Sequence, residues 1–322
     1  MKLGFIGGSG HFYLSALSDR PDVQCAACGG ADAKARFADR GVPWFDDPSD
    51  MFDSFKPNVV NIGAIPAHNS DWVIAALERN IPAVTDKPVA ANWSQLDRIT
   101  ALCDADAKRV VITEFPLRCH RAFAAAHRAV QADEIGQVLL ATGQKSYRFG
   151  DARPAWYGRR EQYGGSILFA ASHAIDFIHY VTGLDFIDVR GQHANLSKPD
   201  YPDFEEVTAT MLTFTTGATA LVHSDYNRPA KAPTHGDDRL RVVGSKGVIE
   251  VRDERCVLMT HDRPPHDISD TVTPPAPHDA MLAAALGEPS DLFSTALSLK
   301  LASILLHARD AADSGETIEI TP

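Results

Sequence analysis

Lys2-Leu3-Gly4-Phe5-Ile6-Gly7-Gly8-Ser9-Gly10-His11 opens the chain. Lys2–Ile6 reads as a short buried strand, and the small residues after it read as a sharp turn into a helix running to roughly Ser18. A turn of this kind lets backbone N–H groups approach a pyrophosphate at a helix N-terminus. The match to the full G-x-G-x-x-G pattern is partial, because Ser9 stands at the second glycine and Phe12 at the third. Gly7, Gly8, Ser9, Gly10 and His11 are therefore candidate contacts for a dinucleotide. A tight turn with no ligand is the plain alternative.

Working outward, strands and helices alternate. Val23–Cys28 reads as a strand before Gly29-Gly30, and Asp32–Arg40 as a helix. A strand over Pro57–Gly63 leads to Ile65-Pro66-Ala67-His68, with Asn69 as the expected cap of the next helix. Asn80 follows that helix, where a left-handed residue is wanted. Ile81–Val84 then runs into Thr85-Asp86-Lys87-Pro88-Val89-Ala90. Asn92 caps the following helix with Gln95 three residues on, imitating a capping box. Arg109–Glu114 is one more strand, stopped by Pro116. Such alternation means βαβ units and a parallel sheet with covered faces. Ligands of such sheets bind at the carboxyl ends of the strands, here Gly7–Gly10, Gly29, Pro66, Lys87 and Glu114. A strand-end lysine taken alone is more often a solvated charge. Lys87 becomes interesting through its company: Gly29, Ile65, Pro66, His68 and Asp86 join it as cofactor-side candidates.

The acidic residue that holds a ribose 2′-hydroxyl in NAD sites is missing, since the second strand ends Cys28-Gly29-Gly30. NADP stays open beside NAD, with Lys34 or Arg36 as partners for a 2′-phosphate.

Bulk properties narrow the class. The 322 residues suit two domains, and 44% hydrophobic with 23% charged residues is an ordinary globular composition. A net charge of −11 gives nucleic acid no basic footprint. No apolar run reaches the ~18 residues of a membrane helix, and the start reaches glycines too early for a signal peptide, so the expected location is cytoplasmic. The five cysteines show no disulfide spacing. Cys25 and Cys28 form C-x-x-C, but in a strand they point to opposite faces, so buried small residues is the better reading than a metal or redox pair.

After a helix from about Arg118 to Val130, the pattern turns to strands: Val138–Tyr147, Phe186–Asn195, Glu205–Thr215, Ala218–Tyr226, Arg239–Val243, Val248–Val251 and Cys256–Thr260. A largely antiparallel sheet follows. Ser290–Asp313 is the last long helix, ended by Gly315. The expected architecture is α/β: a dinucleotide-binding Rossmann domain over 1–117, then an α+β domain over 118–322 with a large open-faced, mostly antiparallel sheet.

Nearly the whole chain resembles the glucose–fructose oxidoreductase / inositol dehydrogenase / MocA-like NAD(P)-dependent oxidoreductases. The resemblance rests on Gly4-Phe5-Ile6-Gly7, Asp86-Lys87-Pro88 in place of the family's E-K-P, Glu134-Ile135-Gly136-Gln137-Val138, Gly164-Gly165 leading to Ser172-His173-Ala174-Ile175-Asp176, and Gly244-Ser245-Lys246-Gly247. It implies a Rossmann domain, an NAD or NADP cofactor, a small-molecule substrate, and homo-oligomer contacts through the open sheet. It also implies that Lys87 sits near the nicotinamide and a substrate hydroxyl, and that His173, from a D-x-x-x-H segment, is the general acid/base. The first position of that segment is Phe169 here, so the family's substrate-binding aspartate is absent.

On a helical wheel over Ser166–Val181, Phe169, His173, Asp176 and Tyr180 form one stripe at spacings of 4, 3 and 4 residues. Asp176 is then a candidate to orient His173. A metal held by His173, Asp176 and His179 is disfavoured, because His179 lies off the stripe. Phe169, with Tyr147, Trp156 and Tyr157 from an aromatic and arginine-rich stretch, is a candidate substrate wall; an interdomain or subunit contact is the alternative for that stretch. The function expected is hydride transfer between a nicotinamide cofactor and a secondary hydroxyl or carbonyl of a sugar, polyol or related small molecule. The alternatives are transient oxidation serving elimination or hydrolysis, and a non-catalytic cofactor-binding or sensor protein.

Overall fold

The computed structural model describes residues 1–38 and 41–320. The end of the helix expected over Asp32–Arg40 therefore lies outside the described residues, and so does the side chain of Arg36. The chain divides into two compact units that are not consecutive in sequence. One comprises Met1–Glu114, Glu161–Gly164 and Pro275–Ser303, and the other Phe115–Arg160, Gly165–Pro274 and Ile304–Pro322.

The first unit contains six strands, β1 (Lys2–Gly7), β2 (Gln24–Cys28), β3 (Trp44–Phe45), β4 (Val59–Gly63), β5 (Ala83–Thr85) and β6 (Val111–Thr113). They pair in parallel in the order β3-β2-β1-β4-β5-β6. That is the Rossmann order. Strands buried on both faces need runs of small or apolar residues, which residues 3–7 of β1 and the Cys-Ala-Ala-Cys of β2 supply, and β4 supplies apart from the buried Asn61. Both of those cysteines are buried, and neither is in a disulfide. The helices here are α1 (Ala31–Phe37), the single turn α2 (Pro48–Asp50), α3 (Pro66–Glu78) and α4 (Trp93–Ala105).

The second unit begins with α5 (Arg121–Gln131) and has a nine-stranded sheet. Its strands are β7 (Val138–Tyr147), β8 (Phe186–Ala194), β9 (Val207–Phe214), β10 (Thr219–Asp225), β11 (Gly236–Gly244), β12 (Gly247–Arg252), β13 (Arg255–Thr260), β14 (His266–Asp267) and β15 (Ile318–Glu319). The order is β14-β13-β12-β11-β7-β10-β9-β8-β15, antiparallel throughout except β7 with β10. The single turn α6 (Arg160–Tyr163) precedes α7 (Ser172–Thr182), which packs on β7, β10 and β11. The chain then passes α8 (Pro277–Ala285) and α9 (Thr295–Ser314).

The units depart from the expected split at 117/118: residues 115–117 group with the second unit, residues 161–164 with the first, and, most of all, residues 275–303 belong with the first sheet. The reason is the open edge of β6. Its Val111 and Thr113 N–H groups donate to Thr295 Oγ1 (3.1 Å) and Ser298 Oγ (3.0 Å) at the start of α9. Unpaired edge donors are costly when buried, and two hydroxyls from distant sequence satisfy them.

Local readings fared differently. Asn92 accepts from Gln95 N (3.0 Å), and Gln95 Oε1 accepts from Ala91 N (2.9 Å), so the capping arrangement forms one residue wider than anticipated. Asn80 adopts φ 56°. Asn69 is not a cap: α3 starts three residues earlier, with Pro66 in its first turn. The expected helix after β1 shrinks to a 3-10 turn at Tyr13–Leu17. The helix expected from Arg118 is preceded by a 3-10 turn at Pro116–Cys119 and starts at Arg121. The helix expected over Ser166–Val181 begins with a π-helical turn, Ile167–Ala171, before α7.

Candidate active site

In the first unit the turn after β1 divides its residues between two tasks. Gly7, Gly8 and Ser9 line a groove of about 500 Å³ together with Gly29, Ile65 and His68. The cradle is close-fitting: a Cβ on Gly8 would lie 2.5 Å from the backbone nitrogen of Ala33, so only glycine lets α1 come this near. A groove lined by small residues at the carboxyl ends of β1 and β2 suits a dinucleotide, and these residues fit one. Pro66, expected with them, is buried in the first turn of α3. Asp46 and Trp72 also line the groove and were missed by sequence reasoning. Asp46 owes its place to the register Cys28↔Phe45, which puts it beside Gly29 at the next strand end.

Gly10 and His11 turn the other way, toward Lys87. The Gly10 N–H donates to Gly63 O (2.8 Å), and His11 N donates to Asp86 Oδ2 (3.0 Å). His11 Nδ1 also lies 3.2 Å from Asp86 Oδ2. Lys87 Nζ donates to Asp86 Oδ1 (3.0 Å) and sits 3.4 Å from His11 Nδ1. Lys87 is 1% exposed, among the largest fully buried side chains, and its peptide to Pro88 is cis. A buried ammonium needs a partner. Burial opposes ionisation of Asp86, but Lys87 and His11 outweigh it and hold the carboxyl well below the usual range. Asn69 braces the segment, accepting from Ala64 N (3.0 Å) and donating to Asp86 O (3.2 Å).

Glu114, one strand over at the end of β6, is a second buried carboxyl. Its Oε1 accepts from Asn61 Nδ2 (2.9 Å) and Tyr13 N (3.1 Å), while Oε2 has no hydrogen-bond partner among the described residues. Burial, then the charge of Asp86, pushes it up to about 8. Two neighbouring carboxyls are thus driven apart, Asp86 ionised and Glu114 holding a proton at neutral pH.

In the second unit, His173 and Asp176 are buried on α7, and the His173 ring meets Phe115 edge-on at 6.2 Å. Asp176 is committed to Arg118, whose Nε donates to its Oδ1 (2.8 Å) and whose Nη2 forms an ion pair with the same oxygen (2.7 Å). Burial pushes Asp176 up to about 6, against the opposing pull of Arg118. The guanidinium also lies 5.1 Å over the ring of Tyr180, so Asp176 and Tyr180 share one cation. Phe169 does meet its expected companions: Trp156 (6.4 Å) and Tyr157 (6.0 Å) pack edge-on against it and stack on each other at 4.1 Å. Tyr147 packs against Tyr226 (5.5 Å) and His235 (5.2 Å), and Tyr226 in turn meets Tyr157 edge-on at 6.3 Å. The arginine-rich stretch is internally braced, with Arg153 donating to Arg148 O (2.6 Å), Phe149 O (2.8 Å) and the Tyr157 hydroxyl (3.1 Å). Among the described residues one cluster, His193, Glu205 and Asp313, has metal-ligand spacing. Arg160 pairs with both of its carboxylates, which makes it an ion-pair network.

Residues 1–115 match the model of an oxidoreductase family with an NAD-binding Rossmann fold, and residues 123–250 match the GFO/IDH/MocA C-terminal domain. The chain belongs to this family. Its first unit is thus an NAD-binding Rossmann domain, in keeping with the strand order and the glycine cradle. A Thermotoga maritima protein described as a candidate oxidoreductase superposes with a TM-score of 0.92 at 28% identity, over 99% of this chain and 100% of that one. Levoglucosan dehydrogenase in complex with NADH superposes at 0.80 and 19% identity, over 100% and 99% of the two chains, which supports the fold. A D-xylose 1-dehydrogenase (NADP(+)) from Haloferax volcanii is 25% identical over 163 residues, half of this chain and 48% of that protein. The match thus spans about half the length of that curated relative. No helix among the described residues is long and apolar enough to cross a membrane.

Proposed function

We propose that this protein is an NAD(P)-dependent dehydrogenase acting on a secondary hydroxyl, or the matching carbonyl, of a sugar, polyol or related small molecule. The observation that carries the reading is Lys87: a fully buried lysine, held by an ionised aspartate, at the carboxyl end of a Rossmann strand. A bound nicotinamide supplies the hydride acceptor. Lys87 donates a hydrogen bond to the reacting oxygen and stabilises the negative charge that grows there, while Asp86 and His11 hold its ammonium in place. His173 takes the hydroxyl proton. Phe169, with Trp156 and Tyr157, presents an aromatic wall where the family resemblance expects a carboxylate, which favours a substrate with an apolar face. Self-association through the open sheet, and a cytoplasmic setting for five cysteines outside any disulfide, belong to the same reading.

Lys87→Ala is expected to lose turnover by at least about a hundred-fold while NADH binding persists. Full activity in that variant rejects the assignment. Phe169, in place of the carboxylate, favours a second reading, a cofactor-binding or sensor protein without turnover. Product analysis separates the two, because steady accumulation of reduced cofactor belongs only to the dehydrogenase.

A further inference from the structure

Gly29 closes β2 at φ +138°, and a Cβ there would lie 3.0 Å from both Ala33 Cβ and Gly7 Cα. The end of β2, the usual seat of a ribose-binding acid, therefore has no room for a side chain at that position. A carboxylate nevertheless lines the same groove. Asp46 follows β3 directly, and the parallel register pairs Phe45 with Cys28, placing Asp46 alongside Gly29. Its carboxylate is oriented by Trp44, whose Nε1 donates to Oδ1 (3.2 Å). Two neighbouring acids are otherwise engaged: Asp47 caps α2 by accepting from Ser49 N (2.6 Å), and Asp71, on the opposite flank of β1, pairs with His68 (3.4 Å). Lys34, the candidate partner for a 2′-phosphate, holds its ammonium 5.7 Å over the Trp44 ring.

We propose that Asp46 replaces the missing acid of β2, accepts the hydroxyls of the adenosine ribose, and makes the groove selective for NAD(H) over NADP(H). The proposal rests on the groove being the dinucleotide site. A carboxylate fixed by an indole N–H accepts a neutral diol well. A 2′-phosphate at the same place brings a second anion against it and leaves the carboxylate desolvated and unpaired.

The experiment is equilibrium titration of the full-length protein with NADH and with NADPH, followed by nucleotide fluorescence, for the native chain and for Asp46→Asn and Asp46→Ala. The native chain is expected to bind NADH about ten-fold or more tightly than NADPH. Both variants are expected to weaken NADH while leaving NADPH unchanged or improved, so that the ratio falls toward one. Equal or inverted preference in the native chain overturns the proposal, as does an unchanged ratio in both variants. Selective loss of NADPH binding in Lys34→Ala, with the native chain preferring NADPH, assigns selectivity to the lysine and overturns it too. Failure to bind either nucleotide rejects the groove itself as the dinucleotide site, an outcome distinct from binding both equally.

Discussion

Glu114 is the residue whose chemistry the sequence hid most completely. A glutamate at a strand end looks like a solvated charge, yet it is 1% exposed and is pushed from 4.5 up to about 8, first by burial and then by Asp86. The native state keeps a proton there that the unfolded chain has already released. The stabilisation is complete below about 4.5 and is lost as pH rises through about 8. Glu114→Gln keeps a neutral hydrogen-bonding group and is expected to flatten this dependence. Urea midpoints measured across that pH range should fall with rising pH for the native chain and stay level for the variant; parallel slopes reject the buried proton. Lys87 was legible because strand, proline and motif all pointed to it. Glu114 was legible only as a strand-end position, since its protonation depends on neighbours from β1, β4 and β5 that come together only in the folded unit. Asp46 lies between these cases: the absence of an acid after Cys28 was plain in the sequence, but the strand supplying a substitute is just two residues long, too short for any periodic pattern to reveal.

Among elements, the long periodic ones were readable and the ends were not. All six strands of the Rossmann sheet arise where apolar runs meet glycine or proline punctuation, except the two-residue β3. The departures cluster where tertiary contacts override local preference. Asn69 has the residue type of a cap, but its amide serves two backbone groups across a loop, and proline starts the helix instead. A uniform wheel over Ser166–Val181 misjudges the segment because its first turn is π-helical, which changes the angle between Phe169 and His173. The pairing of α9 with β6 was illegible for another reason: nothing in a serine 185 residues away announces that it will meet an edge amide. Ser298→Ala is expected to leave the buried Thr113 N–H without an acceptor and to destabilise the protein by about 1–3 kcal/mol. A urea denaturation midpoint equal to that of the native chain is the contrary result, and it would mean that water or a shifted α9 replaces the hydroxyl.

At the scale of the whole molecule, the outer face of the nine-stranded sheet bears on assembly. Adjacent strands place Arg190, Met211, Leu221, Thr142, Arg241 and Glu250 in one row across it. Met211 and Leu221 are 45% and 42% exposed at its centre, while Arg241 and Glu250 pair at 3.0 Å toward one end. An apolar centre with charged flanks has the make-up of an interface that a two-fold axis can duplicate, since the same patch must face itself. Self-association through this face is therefore expected, and the double change Met211→Lys with Leu221→Lys places like charges at its middle. In light scattering coupled to size exclusion, the native chain should elute as an oligomer and the variant at the 34.9 kDa of one chain. Because both side chains point away from the core, the variant is expected to keep its circular dichroism and its affinity for NADH. A native monomer, or a variant that keeps the native mass, removes the sheet face from consideration.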